Sequence, residues 1–260
     1  MIIRKATCSR ALLTVLCCLG SLLVPQLSQP HPLGNFSISH YTGLRIEPDG
    51  IEIRYLIDMA EIPTFQECQE TALVPAAGHP SLDAYLAQKL KSLQEGLFLE
   101  VNGTRLAIQG VWSSAIFPPG AGGLPTLKLG FLYRAVLPVE ATDAQYRLYY
   151  HDANFPGRVG WQEVVAMAGS GITLTHSSVP TVDRSQALSD YPTDLLNNPP
   201  QVLDAQIFFT LAGSAASAGT TPAHAVAAGS APSLSLSTNR PAVPRGGFTA
   251  LVGQPPLRLA

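Results

Sequence analysis

Residues 36–59, "FSISHYTGLRIEPDGIEIRYLIDM", decide the fold class. Ile51, Ile53 and Tyr55 alternate with Glu52, Arg54 and Leu56, the two-residue period that sends successive side chains to opposite faces of a strand. Pro48-Asp49-Gly50 supplies a turn, because proline fixes φ and glycine accepts a positive φ. The stretch therefore predicts a β-hairpin. A second hairpin is expected over 97–111, "LFLEVNGTRLAIQGV". There Asn102-Gly103 separates two β-rich runs, and Asn-Gly is the leading signal for a type I′ turn, whose central residues both need positive φ.

Outward from these hairpins the pattern continues as strands and turns. One helix lies between them, Ser81 to Glu95, with Ser81 as cap and Asp83 in the first turn. Leu82, Tyr85, Leu86, Leu90 and Leu93 form its apolar stripe and Gly96 ends it. Strands are predicted over Leu127–Leu137, over "QYRLYY" ending at Tyr150, over Gly160–Met167, and over "GITLT" at 171–175. The expected class is mainly β: an antiparallel, Ig-like β-sandwich with one inserted amphipathic helix, occupying residues 31–180. Residues 181–212 read as a short helical or extended extension, with one helical turn in "LSDYPTDLLNNPPQ" and a short apolar run in "AQIFFTLAG". From 213 to 260 the chain is mostly Ala, Gly, Ser, Thr and Pro, which predicts a disordered linker or tail.

The first 30 residues read as a signal peptide or signal anchor. Arg4, Lys5 and Arg10 form a positive flank, and the apolar run Ala11–Pro25 is 15 residues long. That length suits an export signal and falls short of the roughly 20 residues of a transmembrane helix. A cut before His31 places Pro30 at the −1 position and Ser28 at −3. The expected location is extracytoplasmic, in the periplasm or on the outer face of the cytoplasmic membrane. Cys8, Cys17 and Cys18 belong to the leader, so Cys68 alone remains in the body and no intramolecular disulfide is available there.

Charge narrows the partners. Three of the 16 basic residues lie in the leader and three beyond Asp204, where no acidic residue occurs, leaving 10 basic against 18 acidic residues, a net of −8, over 31–204. A nucleic-acid backbone needs clustered Lys and Arg, so it is excluded as a partner.

Four phrases, "HPLGNFS", "YLIDMAEIPTFQE", "NFPGRVGWQEVV" and "YPTDLLNNPP", carry a resemblance. In this order, and over roughly residues 31–200, the chain resembles the extracytoplasmic N-terminal domain of nickel/cobalt transporter-like (NicO-type) bacterial membrane proteins. In such proteins the soluble domain precedes a linker and a bundle of transmembrane helices with histidine-rich metal motifs. No segment after the leader is long enough here to make such a bundle. The resemblance thus implies a domain lacking the transmembrane part and a polytopic membrane transporter subunit as its partner.

Two groups of residues are candidates for chemistry. His31 and His40 form a possible metal pair: an exposed His31 would offer its α-amine and imidazole, and His40 a third nitrogen, suited to Ni, Co, Cu or Zn. The plainer alternative makes His31 a terminal residue and His40 an ordinary strand residue, facing solvent or held by a hydrogen bond. In "YYHDANFPGRVGWQEVV", Asp152, Asn154, Trp161 and Glu163 form a candidate ligand or docking loop. Against that, Asp152 and Asn154 are also typical of side-chain-to-backbone turn bonds, and Trp161 of a core. Asp58, Glu61 and Glu67 read either as an acidic edge or as a structured crossover. Metalloprotease, nucleophile-elbow, phosphate-loop and paired-cysteine motifs are missing, so the expected function is non-catalytic. The expected role is to bind divalent metal or to dock a membrane transporter. The rivals are a metal-free envelope-adhesion sandwich and a copper-dependent oxidase built on an N-terminal histidine.

Overall fold

The computed structural model describes residues 31–137 and 145–212. The expectations attached to the leader (1–30) and the tail (213–260) lie outside the described residues.

The opening hairpin forms as its alternation predicts. β1 (Ile38–Glu47) pairs antiparallel with β2 (Gly50–Met59), in register from Ile38 opposite Met59 to Glu47 opposite Gly50. The helical insertion follows, and then β3 (Leu97–Val101), β4 (Thr104–Arg105), β5 (Ile108–Ile116), β6 (Leu127–Val136), β7 (Tyr146–Asp152), β8 (Gln162–Ala168), β9 (Ile172–Ser177) and β10 (Asp204–Leu211). They build two sheets, ordered β5-β6-β2-β1-β8 and β4-β3-β7-β10-β9. Asn102 and Gly103 both take positive φ, 51° and 81°, as the tight turn between β3 and β4 requires.

Leu44, Ile46, Ile53, Tyr55, Phe131 and Tyr133 of the first sheet share one buried core with Leu99, Leu148, Tyr150, Ile207 and Phe209 of the second. The protein is thus a mainly β, two-sheet sandwich. A second, smaller core covers the outer face of the first sheet, where Tyr41, Leu56, Trp161, Val165, Leu188 and Tyr191 pack together. The central strands β1 and β2 are consequently buried on both faces over most of their length.

The structure differs from the sequence expectations in five places. Of the hairpin expected over 97–111, only β3 and the two-residue β4 pair, Glu100 with Arg105 and Val101 with Thr104, and the chain then crosses to the first sheet as β5. The insertion holds two helices, α1 (Glu61–Thr71) and α2 (Pro80–Glu95). In α1 the apolar period is weak, and Pro63 stands in the first turn, where its missing N–H costs nothing. In α2 the cap is His79, whose side chain accepts from the Ser81 amide, with Pro80 as the first helical residue. β8 runs parallel to β1, the one parallel pair in an otherwise antiparallel first sheet. Finally, the apolar run at the end of the extension is β10, which sits between β7 and β9 and buries Ala205, Ile207 and Phe209.

The crossing from β7 to β8 depends on close backbone approach at Gly160. A Cβ there would meet the Ile38 carbonyl oxygen at 2.1 Å, whereas one at Gly157 would enter open space. Gly160→Ala is expected to destabilise the protein by about 2–3 kcal/mol through overpacking against backbone. Gly157→Ala, at φ +74°, costs about 1 kcal/mol through the left-handed conformation alone. Urea-denaturation midpoints of the two variants check the order.

Candidate functional site

The four phrases that carry the resemblance meet at one end of the sandwich, around two buried carboxylates. The first is Asp58, 1% exposed near the end of β2. Strand alternation turns it onto the outer face of the first sheet. Tyr191 donates its hydroxyl to Asp58 Oδ2 at 2.8 Å. Lys128 Nζ of β6 lies 3.0 Å and His31 Nε2 3.2 Å from the same oxygen. Lys128 also donates to the Leu188 carbonyl at 2.7 Å. Burial pushes the Asp58 carboxyl up, but the contact with His31 and the Lys128 charge outweigh it, and the group titrates below the usual carboxylate range. Burial, reinforced by the Asp58 charge, drives the Tyr191 hydroxyl well above its ordinary value.

His31 is fixed by more than its carboxylate. Its Nδ1 is 2.9 Å from Ser37 Oγ, and its carbonyl accepts the Gly34 amide at 2.8 Å. Loop 31–37 is in turn stitched to its neighbours: Ala60 N donates to Ser37 O, Ile62 N to Asn35 O, and Ile38 N to Val159 O.

Glu163, 4% exposed at the start of β8, is the second carboxylate. It accepts Trp161 Nε1 at 2.8 Å, Ser185 Oγ at 2.6 Å and the Arg184 amide at 2.7 Å. These bonds clamp the segment after β9 onto the outer face of the first sheet, over the fully buried Trp161 ring. Further along, Gln162 N donates to Pro200 O and Val202 N to Gln162 O, so the "NNPP" phrase runs beside β8. Asp183, half-buried nearby, has its carboxyl pushed up by burial, with the Glu163 charge adding to the effect.

His40 lies on the other face of β1, between the sheets. Its Nδ1 is 3.1 Å from Asp152 Oδ2. Tyr55 donates its hydroxyl to that same oxygen at 2.9 Å, and the Phe155 ring stands edge-on to the imidazole at 5.1 Å. Asp152 Oδ1 accepts the Asn154 amide, and Asn154 Nδ2 donates to the Leu93 carbonyl at the end of α2. Burial, aided by the Asp152 charge, holds the Tyr55 hydroxyl well above its ordinary value.

The sequence candidates are therefore all structured, but they are not brought together as a single site. His31 and His40 serve different carboxylates on opposite faces of the first sheet. Asp152 and Asn154 belong to the inner network, Trp161 and Glu163 to the outer one. Asp58, Glu61 and Glu67 are separated as well: Glu61 Oε1 accepts the Ala121 amide at 2.7 Å, and Glu67 lies 2.7 Å from Lys89 Nζ. Among the described residues no group of three or more His, Cys, Asp or Glu side chains is arranged to hold a metal ion. No helix among them is long and apolar enough to cross a membrane.

Sequence reasoning did not single out Lys128, Tyr191 or Ser185, which complete the outer networks. The one available signal was Asp58 itself, a charged residue inside the apolar run "YLIDM". Such a residue in a strand buried on both faces demands partners.

To solvent the phrases show both polar residues, among them Asn35, Gln66, Arg158 and Asp194, and apolar ones. Leu33, Val159, Leu196 and Pro199, with Asn198 and Gln201, line a shallow depression of about 320 Å³. Val159 of that lining is 65% exposed, as is Phe36 in the entry loop, and Phe65 of α1 is 52% exposed. No family model matches the chain, and no curated protein matches it significantly.

Because its folded carboxyl titrates low, Asp58 contributes stability that is complete above the unfolded value of about 3.9 and is lost as pH falls through the folded value. Unfolding free energy is expected to drop steeply below about pH 4, and Asp58→Asn to flatten that drop while costing about 2–4 kcal/mol at neutral pH. Denaturant titrations from pH 7 to pH 2 check both. Glu163→Ala is expected to free residues 184–191 first, seen as rapid cleavage there in limited proteolysis while the sandwich stays intact.

Proposed function

We propose that this chain is a non-catalytic extracytoplasmic domain associated with divalent-metal, nickel/cobalt-type transport, and that it docks a polytopic membrane transporter partner. The observation that carries this reading is the convergence of the four phrases, far apart in sequence, at one end of the sandwich. Their two buried carboxylates are engaged inside the protein: Asp58 and Glu163 are each contacted by three protein groups. What the phrases specify is a closely bonded end on whose exterior Phe36, Phe65 and Val159 stand exposed among polar residues. A reaction centre has the opposite layout, with titratable groups opening into a cleft. An association surface is the use that such an end supports.

Docking is favoured over metal presentation because the two candidate rings stand on opposite faces of the first sheet and, among the described residues, neither belongs to a group of three side chains fit to hold a metal ion. Isothermal titration with Ni²⁺, Co²⁺, Cu²⁺ and Zn²⁺ separates the two. Docking alone gives no saturable uptake, whereas metal presentation gives a site that His40→Ala removes. For the docking itself, the tagged protein is expected to co-purify from mild detergent in fixed stoichiometry with a polytopic membrane protein that moves Ni²⁺ or Co²⁺ when reconstituted. Recovery of the chain alone after crosslinking in cells would overturn the proposal.

A further inference from the structure

We propose that the apolar face at the His31 end, formed by Phe36, Phe65 and Val159, seats the body directly on the phospholipid surface of the membrane. This rests on the extracytoplasmic reading above and names what that end touches. The three side chains come from three phrases, yet backbone bonds hold them at one end. Phe36 lies between Asn35, whose carbonyl accepts Ile62 N, and Ile38, whose amide donates to Val159 O. Phe65 follows Ile62 by three residues on α1, which places both on one side of the helix. Single exposed apolar residues are ordinary, but two phenylalanines and a valine, each more than half exposed and brought to one end of the sandwich, are not.

The path of the chain says what covers them. The apolar run ending at Pro25 is separated from His31 by residues 26–30. Six Cα-to-Cα steps reach at most about 20 Å. His31 is pinned by Asp58, Ser37 and Gly34, so its position on the body is set. Once the leader run enters a membrane, this end of the sandwich is carried against the membrane surface, and the β1–β2 turn is carried away from it.

The body is acidic overall, and anionic lipid repels it. Across residues 32–37, 60–67, 155–160 and 192–201 the charged residues are Glu61, Glu67, Arg158 and Asp194. Glu61 is buried against the Ala121 amide and Arg158 is exposed. The end facing lipid therefore offers apolar rings, one exposed guanidinium suited to a lipid phosphate, and the exposed Asp194 carboxylate.

The test uses the full chain in vesicles of phosphatidylethanolamine and phosphatidylglycerol. Cys8, Cys17, Cys18 and Cys68 are changed to serine, and single cysteines are placed by Phe36→Cys, Phe65→Cys, Val159→Cys and Val136→Cys. Val136 pairs with Gly50 at the opposite end of the first sheet and is 71% exposed. An environment-sensitive fluorophore at the first three sites is expected to shift to the blue and lose most of its emission to nitroxide-labelled lipid, while the one at 136 stays water-like and unquenched. Probes as water-like at 36, 65 and 159 as at 136 would overturn the proposal. So would probes that shift to the blue yet ignore the lipid quencher, which would assign the face to a second copy of the chain. Labelling of the Val136→Cys variant in intact cells by a membrane-impermeant maleimide tests export separately. Its failure would remove the extracytoplasmic reading without changing what the vesicle probes report.

Discussion

A carboxylate held almost completely away from water is the constraint around which this molecule is organised. Asp58 sits near the end of a strand buried on both faces, and an ionised group there costs several kcal/mol unless it is compensated. Three segments remote in sequence supply the compensation: His31 from the entry loop, Lys128 from β6 and Tyr191 from the chain after β9. Each contact also serves as a strap. Lys128 reaches on to the Leu188 carbonyl, and Glu163 repeats the arrangement from β8 by gripping Arg184 and Ser185. The outer face of the first sheet is thereby covered by chain with little regular structure of its own. That covering is why Trp161 and Leu56 are fully buried on a side of the sheet that would otherwise face solvent.

The period-two geometry of β1 then separates the two histidines. Ser39 and Tyr41 point to the outer core, while His40 and Thr42 point between the sheets. His40 joins Asp152 and Tyr55, and Thr42 bonds the buried Tyr150 hydroxyl at 2.9 Å. Two polar networks therefore flank one strand and do not mix. The inner one ties the sheets to each other and, through Asn154, to the end of α2. The outer one ties the first sheet to its cover. Both draw on the loop that joins β7 to β8, since Asp152 and Glu163 lie on either side of it, and this accounts for the density of polar residues from 151 to 163.

Much of the fold was legible in the sequence because it is locally encoded. The β1–β2 hairpin, the Asn102-Gly103 turn, the leucine stripe of α2 and the alternation of β6 each follow from side-chain period and turn chemistry, whereas the second arm expected after that turn leaves as β5 for the other sheet. The elements that escaped are those fixed by long-range contact. α1 carries Pro63 and buries Glu61, Pro63 and Thr64, so no apolar stripe announces it. β10 looks like an isolated apolar run until β7 and β9 flank it, and the parallel pairing of β8 with β1 has no local signature. The same divide runs through the site. His31, His40, Asp152 and Glu163 stood out as residue types, but whether a histidine meets a metal, water or a carboxylate depends on strand register and on what covers the sheet.

An end built in this way has one further consequence. The buried carboxylates and the backbone bonds of the four phrases stiffen the entry loop, the start of α1 and the loop before β8 into one unit, while Asp58 Oδ1 and Glu61 Oε2 stay buried without a hydrogen-bond partner among the described residues. A surface made of three loops usually loses ordering entropy when it meets a partner. Here that entropy has already been lost in folding, and the exposed rings are displayed on a preorganised base. The interior chemistry and the bare exterior are therefore two sides of the same arrangement: the carboxylates hold the loops, and the held loops present the apolar face.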